Sequence, residues 1–232
     1  MVNINADRYR QIEQNLQQFQ NEFESVLALH NKGKLGVKII AVTKGFPASD
    51  IEILAELGIS EIGESKDQEI KNKLPTINRL NINLHFIGQL QRNKAKSVAS
   101  YSEVIHSIDR KSLIDEIVKV AAVNKNLAIL LQVDLAKTLD TKRGGAEPSD
   151  LLHLAEYAVQ SGLDLKGLMA VAPLGENAED AFVRFAEISE ELAHRYPQAN
   201  WRSIGMSADW QIAIKNGATH LRIGSALLGN RA

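Results

Sequence analysis

The chain lacks several features that would have indicated a particular class of protein. It contains no cysteine, which excludes disulfide bonds, thiolate metal sites and cysteine nucleophiles and fits a reducing compartment. It also has no excess of charge, because 27 basic and 28 acidic residues give a formal net charge of −1. Bulk electrostatics therefore gives no reason to expect a nucleic-acid partner or an anionic membrane surface.

Long hydrophobic runs are absent as well. No segment approaches the roughly eighteen uninterrupted apolar residues of a membrane-spanning helix. The polar segment Met1 to Arg10 has no hydrophobic region of the kind found in signal peptides. Together these absences predict a soluble cytoplasmic protein without a membrane partner.

What the chain does contain is a regular alternation of short apolar runs and amphipathic segments. The short runs are rich in β-branched residues and bounded by glycine or proline, which is typical of buried strands. The predicted strands are 37–43, 59–62, 84–87, 104–108, 127–133, 165–171, 201–204 and 219–223. The predicted helices are 6–30, 47–57, 64–74, 92–100, 111–123, 149–161, 178–195 and 208–216.

Eight strands with intervening helices indicate an α/β protein, a single-domain (β/α)8 TIM barrel over residues 1–232 with an additional N-terminal helix. We expect that helix to cover the wall between strands eight and one, where an eighth helix would normally pack, because only 224–232 follow strand eight. An open doubly wound sheet is the alternative, and it would separate two strands that both carry functional-looking residues. The apolar stripe of the N-terminal helix could also serve a dimer, although a monomer is expected.

Lys44 is the most informative residue, because it directly follows the strand 37–43. In a barrel it would lie at the C-terminal mouth with its amine directed at a cavity. A lysine that is desolvated there loses its proton and becomes a nucleophile. By position alone, however, a lysine after a strand is more often a solvated loop residue.

A predicted anion site lies after strands seven and eight, which is the usual phosphate site of this fold. Ser207 is a good N-cap for a helix that begins at Ala208, so exposed backbone N–H groups should cluster there. Gly224 and Ser225 add a close backbone approach and a hydroxyl group. An anion held at this point would lie across the mouth from Lys44.

A phosphate group opposite a nucleophilic lysine describes a binder of pyridoxal 5'-phosphate (PLP), whose aldehyde condenses with the amine to give a Schiff base. Arg222 can then point at the ring nitrogen, although an isolated arginine is more often a salt-bridge partner. An arginine keeps its proton, so the ring nitrogen would stay unprotonated and carbanion chemistry would be weak.

The other polar residues give weaker indications of function. His85 and His106 lie inside apolar strands and are predicted to be hydrogen-bonded core histidines rather than ligands. Lys142, Arg143, Gly144 and Gly145 are interpreted as a mobile basic loop at the barrel rim, because they lack the sequence context of a nucleotide site. No His, Asp or Glu cluster has convincing metal spacing.

The motifs at the strand ends resemble those of the PLP homeostasis protein family (YggS/PROSC) over nearly the whole chain. The segments that carry the resemblance are Ala41 to Lys44, Ile62 to Glu64, Leu84 to Lys94, His106 to Asp109, Gly167 to Ala170, Ile204 to Trp210 and Arg222 to Ser225. The resemblance implies a barrel like the N-terminal domain of alanine racemase. The cofactor-binding residues that it implies are Lys44 as the covalent site, Ser65, Met169, Ser203, Met206, Ser207, Arg222, Gly224 and Ser225.

The resemblance also implies a function: an intracellular PLP carrier or buffer that keeps amino-acid and keto-acid pools in balance, without dedicated catalysis or catalytic residues. PLP-dependent apoenzymes would be its acceptors. The alternative is an amino-acid racemase of the alanine racemase type. A racemase with two bases needs a second acid/base on the opposite face of the cofactor, and we expect no further domain to supply it. A class I aldolase would need no arginine at the position of Arg222.

The sequence departs from the usual family pattern in four places. Thr43 replaces the more common Ser, and Gly45-Phe46-Pro47 replaces a Thr-Lys/Gln-Pro sequence. Ser65 stands where the family usually has Asn, and Ser225 replaces Thr but keeps the hydroxyl group.

Overall fold

The structure is a computed structural model that describes residues 5–30, 36–121, 127–137 and 144–230. Lys142 and Arg143 of the predicted rim loop, and the last two residues of the predicted helix 111–123, lie outside the described residues. The strands are β1 (Lys38–Val42), β2 (Glu61–Glu64), β3 (Asn83–Phe86), β4 (Val104–Ile108), β5 (Ala128–Gln132), β6 (Asp164–Met169), β7 (Trp201–Ser203) and β8 (His220–Ile223). The α-helices are α1 (Ala6–Leu29), α2 (Ala48–Glu56), α3 (Asp67–Leu80), α4 (Arg92–Ala99), α5 (Lys111–Ala121), α6 (Leu151–Gln160), α7 (Ala178–Arg195), α8 (Trp210–Lys215) and α9 (Ser225–Leu228).

The eight strands form a closed parallel barrel in sequence order. Closure is made by β1 and β8, whose paired residues run from Lys38 with His220 to Ala41 with Ile223. The predicted barrel is therefore confirmed, and the open doubly wound sheet was the wrong alternative. A 3-10 turn, Pro148–Asp150, precedes α6.

Side-chain alternation along the strands separates the barrel interior from the helix layer. Outward residues of the strands pack against buried helix residues such as Phe182 and Phe185 of α7, both fully buried. Inside the barrel the space is tight near β2, where a Cβ on Gly63 would lie 3.0 Å from Ile40 and 3.1 Å from Ile87. Polar side chains share this interior, and they matter for the site described below.

Helix α1 occupies the position expected for a missing eighth helix. Asn5 caps its first turn by accepting hydrogen bonds from the backbone N–H groups of Asp7 and Arg8. Its buried residues include Phe19, whose ring lies 5.1 Å from that of Trp210 in α8. At the other side, Arg8 forms a 2.6 Å ion pair with Asp50 of α2, whose carboxylate is almost fully buried. The helix thus closes the outer layer beside β1 and β8, as predicted.

Most element boundaries differ from the sequence prediction by one or two residues, and two helices show why. Helix α3 begins at Asp67 and continues through Pro75 to Leu80, whereas the sequence predicted a helix over 64–74. Proline removes one backbone hydrogen bond, but the last turn buries Ile77 in the core, which favours a longer helix. Helix α8 begins at Trp210 rather than at Ala208, because Asp209 takes the cap position.

No helix among the described residues is long and apolar enough to cross a membrane.

Candidate functional site

A cavity of about 870 Å³ opens at the C-terminal ends of β1 and β8. This volume falls within the usual range of small-molecule sites. The residues that line the cavity are Val42, Lys44, Phe46, Ile87, Val171, Met206, Ser207, Ala208, Arg222, Gly224, Ser225, Gly229 and Asn230. Six of the nine residues predicted from the sequence therefore share one cavity.

Lys44 lies in a tight turn that directly follows β1. The backbone N–H of Phe46 donates to the carbonyl of Thr43 at 3.0 Å, and Gly45 has φ of +78°. A positive φ at the third residue is what a type II turn requires, and glycine adopts it without strain. The departure from the family pattern at Gly45 thus has a local explanation.

The Lys44 side chain is partly exposed at the cavity wall. Within the described residues no carboxylate forms an ion pair with it. The side chain is therefore only partly desolvated. The structure shows an amine at the mouth of the cavity that both solvent and a ligand can reach.

Ser207 has a different role from the one predicted. It is not the N-cap of α8; Asp209 holds that position, and its Oδ1 accepts the backbone N–H of Met206 at 2.6 Å. The Ser207 hydroxyl instead accepts the backbone N–H groups of Gly224 and Ala226, each at 3.3 Å. The hydroxyl therefore links the segment after β7 to the segment after β8.

This link leaves a cluster of backbone donors at the cavity wall. The N–H groups of Ser207, Ala208 and Ser225 have no acceptor among the described residues. All three residues line the cavity, and the hydroxyl of Ser225 lies beside them. Converging backbone N–H groups of this kind bind anions such as phosphate.

Arg222 lies on β8 below these donors, and only 4% of it is exposed. Its Nη1 donates to the carbonyl and the hydroxyl of Ser203 at 2.6 and 2.8 Å, and its Nη2 donates to the carbonyl of Ala170 at 2.8 Å. Three of the five guanidinium N–H bonds are thus satisfied by described residues, and two remain for a ligand. Burial lowers the pKa of Arg222 to about 10, with the charge of Asp209 acting against the shift, so the group stays protonated at neutral pH.

Behind Arg222, a chain of hydrogen bonds crosses the barrel interior. Ser203 Oγ lies 3.0 Å from Nδ1 of His106, whose Nε2 lies 2.9 Å from Nδ1 of His85. Nε2 of His85 lies 2.7 Å from Oε2 of Glu61. Both histidines are buried and hydrogen-bonded, as predicted for core histidines.

The two ends of this chain have fixed roles. Arg222 can only donate, so the Ser203 hydroxyl accepts from it, and at the other end the carboxylate of Glu61 accepts from Nε2 of His85. Burial lowers the pKa of His106 well below its ordinary value of 6.5. Burial alone would raise the pKa of Glu61, but its interactions with His85, and then with Lys38, outweigh burial and lower the pKa to about 2.

Three predicted residues lie off the cavity wall. Ser203 is fully buried behind Arg222, and Met169 is buried inside the barrel on β6. Ser65 lines a separate cavity of about 260 Å³, together with Gln89 and Lys94. Whether any of them contacts a ligand stays a prediction.

Several lining residues were missed by the sequence analysis. The inward positions Val42, Ile87 and Val171 could have been found from strand alternation, because each precedes or ends a motif at a strand end. Phe46 and Asn230 carried no such signal, since their placement depends on the turn after Lys44 and on the segment after α9. Within the described ranges, no group of three His, Asp or Glu side chains is arranged to hold a metal ion.

Comparison with known protein families matches residues 8–232 to the family described as alanine racemase, N-terminal domain. A pyridoxal phosphate homeostasis protein of Vibrio cholerae is 34% identical over 234 residues, covering 96% of this chain and 97% of the relative. The protein of the same name from Aquifex aeolicus is 36% identical over 206 residues, covering 86% of this chain and 90% of the relative.

A similar fold has been solved for PipY of Synechococcus elongatus, both without PLP and with PLP bound. The two structures give TM-scores of 0.77 and 0.76, at 31% identity, and the match covers 89% of this chain and 99% of PipY.

Proposed function

The chain belongs to the alanine racemase N-terminal domain family and, within it, to the pyridoxal phosphate homeostasis proteins, and from this premise we propose that it binds PLP covalently on Lys44 as a carrier or buffer. The observation that carries the proposal is a single cavity that brings together the Lys44 amine, the guanidinium of Arg222 and the free backbone N–H groups after β7 and β8.

The residues present fit this cofactor group by group. The N–H groups of Ser207, Ala208 and Ser225 and the Ser225 hydroxyl match the oxygens of a phosphate. When bound, PLP supplies an aldehyde, to whose carbon the lysine amine adds with loss of water, so that a C=N bond replaces C=O. Arg222 has two N–H bonds left to donate to the unprotonated ring nitrogen.

Arg222 also argues against efficient carbanion chemistry. A guanidinium that keeps its proton cannot protonate the ring, and an unprotonated ring withdraws electrons poorly.

The cavity wall offers little further acid/base chemistry. Among the described lining residues, Lys44 and Arg222 are the only ionisable side chains. A two-base racemase requires a second acid/base on the opposite face of the cofactor. This composition supports binding and release of PLP without dedicated turnover.

We extend the proposal to the setting of the protein. PLP-dependent apoenzymes are the proposed acceptors of the bound cofactor, and the protein is proposed to act as a monomer. The absence of cysteine supports a reducing compartment, and we propose the cytoplasm.

The test is covalent capture of PLP. We expect the purified protein to gain visible absorbance with PLP, and borohydride reduction to fix one PLP on Lys44, detected by peptide mass analysis. Lys44→Ala should lose the covalent adduct and keep its melting temperature, because a residue at the cavity mouth contributes little packing. Lys94→Ala is the matched control, since Lys94 is an exposed lysine at the neighbouring cavity.

A protein that stays colourless with PLP, or that carries the reduced adduct on Lys94 but not on Lys44, would refute the proposal. The carrier function is tested separately. Robust racemisation of free amino acids would establish the alternative of an amino-acid racemase, whereas transfer of PLP to an apoenzyme without such turnover supports the carrier.

A further inference from the structure

Three charged side chains converge on the outer side of the barrel behind Lys44, away from the cavity. Nζ of Lys73 in α3 lies 2.7 Å from Oε1 of Glu64 and 2.8 Å from Oε1 of Glu69. Glu64 is fully buried and Lys73 is 4% exposed. Neither the cavity nor its predicted ligand contacts account for this cluster.

The cluster holds the backbone on both sides of Lys44. Lys73 Nζ donates to the carbonyl of Thr43 at 2.8 Å, and the Thr43 hydroxyl donates to Glu64 Oε1 at 2.5 Å. On the far side of Lys44, the backbone N–H of Gly45 donates to Glu69 Oε1 at 2.5 Å. Three bonds to one cluster therefore fix the residue before Lys44 and the residue after it.

These bonds also fix the direction of the Lys44 side chain. Thr43 and Lys44 are the first two residues of the turn 43–46. The hydroxyl of Thr43 is held outward, toward α3, whereas Lys44 lines the cavity on the inner side. Rotation of this turn would move the amine away from the cavity wall.

A buried charged cluster is a costly way to stabilise a fold, because apolar residues of similar volume commonly do as well or better. Desolvation raises the pKa of Glu64, against the hydrogen bonds from Lys73 and Thr43, and Oε2 of Glu64 has no partner among the described residues. The contribution of the cluster is therefore to hold the turn around Lys44 in place, rather than to stabilise the fold.

We propose that Glu64, Lys73 and Glu69 are positioning residues that hold the Lys44 amine in reach of a carbonyl ligand. This inference rests on the proposed function, since it assigns a role to the lysine that captures the aldehyde. It predicts that damage to the cluster weakens covalent capture while leaving the anion-binding side of the cavity intact.

The experiment compares two probes, PLP and pyridoxine 5'-phosphate, which has an alcohol in place of the aldehyde and cannot bond to lysine. Lys73→Met should slow borohydride-trapped capture of PLP and raise its Kd at least about tenfold, with the Kd of the alcohol changed less than about twofold. Lys71→Met is the matched control, because Lys71 pairs with Asp67 one turn away on the same helix without touching the Lys44 turn. This control should bind both probes like the unmodified protein.

A second pair of variants covers the case in which Lys73→Met does not fold. Glu69 is less buried than Lys73, with 22% of its side chain exposed. Glu69→Gln keeps an oxygen for the Gly45 N–H and should retain most covalent capture, whereas Glu69→Ala should lose it. Melting temperatures of the PLP-free variants show which of them are folded.

The outcomes separate the two proposals. If the unmodified protein captures no PLP on Lys44, the proposed function fails. If it does, and folded Lys73→Met or Glu69→Ala captures PLP at the same rate, the positioning role is refuted. Equal loss of both probes would also refute it, because that result shows a general structural role.

Discussion

Replacing Ser207 by aspartate should separate the stability of the protein from its retention of PLP. The Ser207 hydroxyl accepts two backbone N–H groups at 3.3 Å, which is long for a hydrogen bond. A carboxylate reaches one atom further and makes stronger, charge-assisted bonds to the same donors. Ser207→Asp should therefore leave the PLP-free protein at least as stable as before, with a gain of ~1 kcal/mol corresponding to about 2–4 °C in melting temperature.

The same carboxylate should expel a phosphate from the cavity. It would sit against the N–H groups of Ser207, Ala208 and Ser225, where a phosphate oxygen is proposed to bind. Two like charges about 4 Å apart repel by ~4 kcal/mol at an effective dielectric constant of about 20. A penalty of this size raises the Kd of PLP by about 100- to 1000-fold.

Ser207→Asn is the matched control, because it has the shape of aspartate without the charge. We would measure the Kd of PLP by absorbance titration for both variants at low and high salt, together with melting temperatures of the PLP-free proteins. Ser207→Asp should bind PLP far more weakly than Ser207→Asn, and the difference in Kd should shrink as salt screens the repulsion.

Equal Kd values for Ser207→Asp and Ser207→Asn would refute the reasoning, because charge at this position would then be irrelevant to the ligand. A difference that does not respond to salt would show that the effect is one of shape, and the phosphate would have to be placed elsewhere in the cavity.

Two further predictions concern the barrel itself. Because its interactions with His85 keep the pKa of Glu61 at about 2 in the folded protein, Glu61 stabilises the fold above about pH 4.5, and this contribution is lost as the pH falls from 4.5 to about 2. The free energy of unfolding, measured with urea across this range, should depend less on pH in Glu61→Gln than in the unmodified protein. An unchanged pH dependence in the variant would contradict the assignment. In β6, Gly167 has φ of +150°, and a Cβ there would lie 2.0 Å from the carbonyl oxygen of Trp201, so Gly167→Ala should lower the free energy of unfolding by more than ~3 kcal/mol. The control Gly175→Ala, at a glycine with positive φ in open space, should lower it by about 1 kcal/mol. Similar losses in the two variants would show that the contact with Trp201 does not matter.

The fold could be predicted from the sequence because its main signals are local. Short apolar strands alternate with amphipathic helices, and the bounds of β4 and α7 agree with the predicted ranges. The predicted helix boundaries were wrong where tertiary contacts override local sequence signals. The helix α3 passes through Pro75 because Ile77 is buried beyond it. Helix α8 begins later than predicted because the Ser207 hydroxyl bonds to the segment after β8, and Asp209 holds the N-cap position.

The candidate site was predictable where residues lie a few positions after a strand end, as Lys44 does after β1 and Ser207 after β7. Strand order brings such positions together at one end of a barrel. The cluster behind Lys44 was not predictable in this way. Lys73 and Glu69 read as an ordinary exposed pair on a polar helix, four residues apart. Only their packing against Glu64 shows that they are largely buried beside the turn.

The seam between β1 and β8 has a consequence for the order of events during synthesis. Ile40 of β1 is paired with Arg222 of β8, so residues from opposite ends of the sequence form the two halves of one cavity. In a nascent chain, which emerges N-terminus first, Lys44 leaves the ribosome long before Ser225 has been translated. A ligand that needs both residues can be captured only after the last strand has paired with the first, so binding of that ligand would show that the barrel has closed.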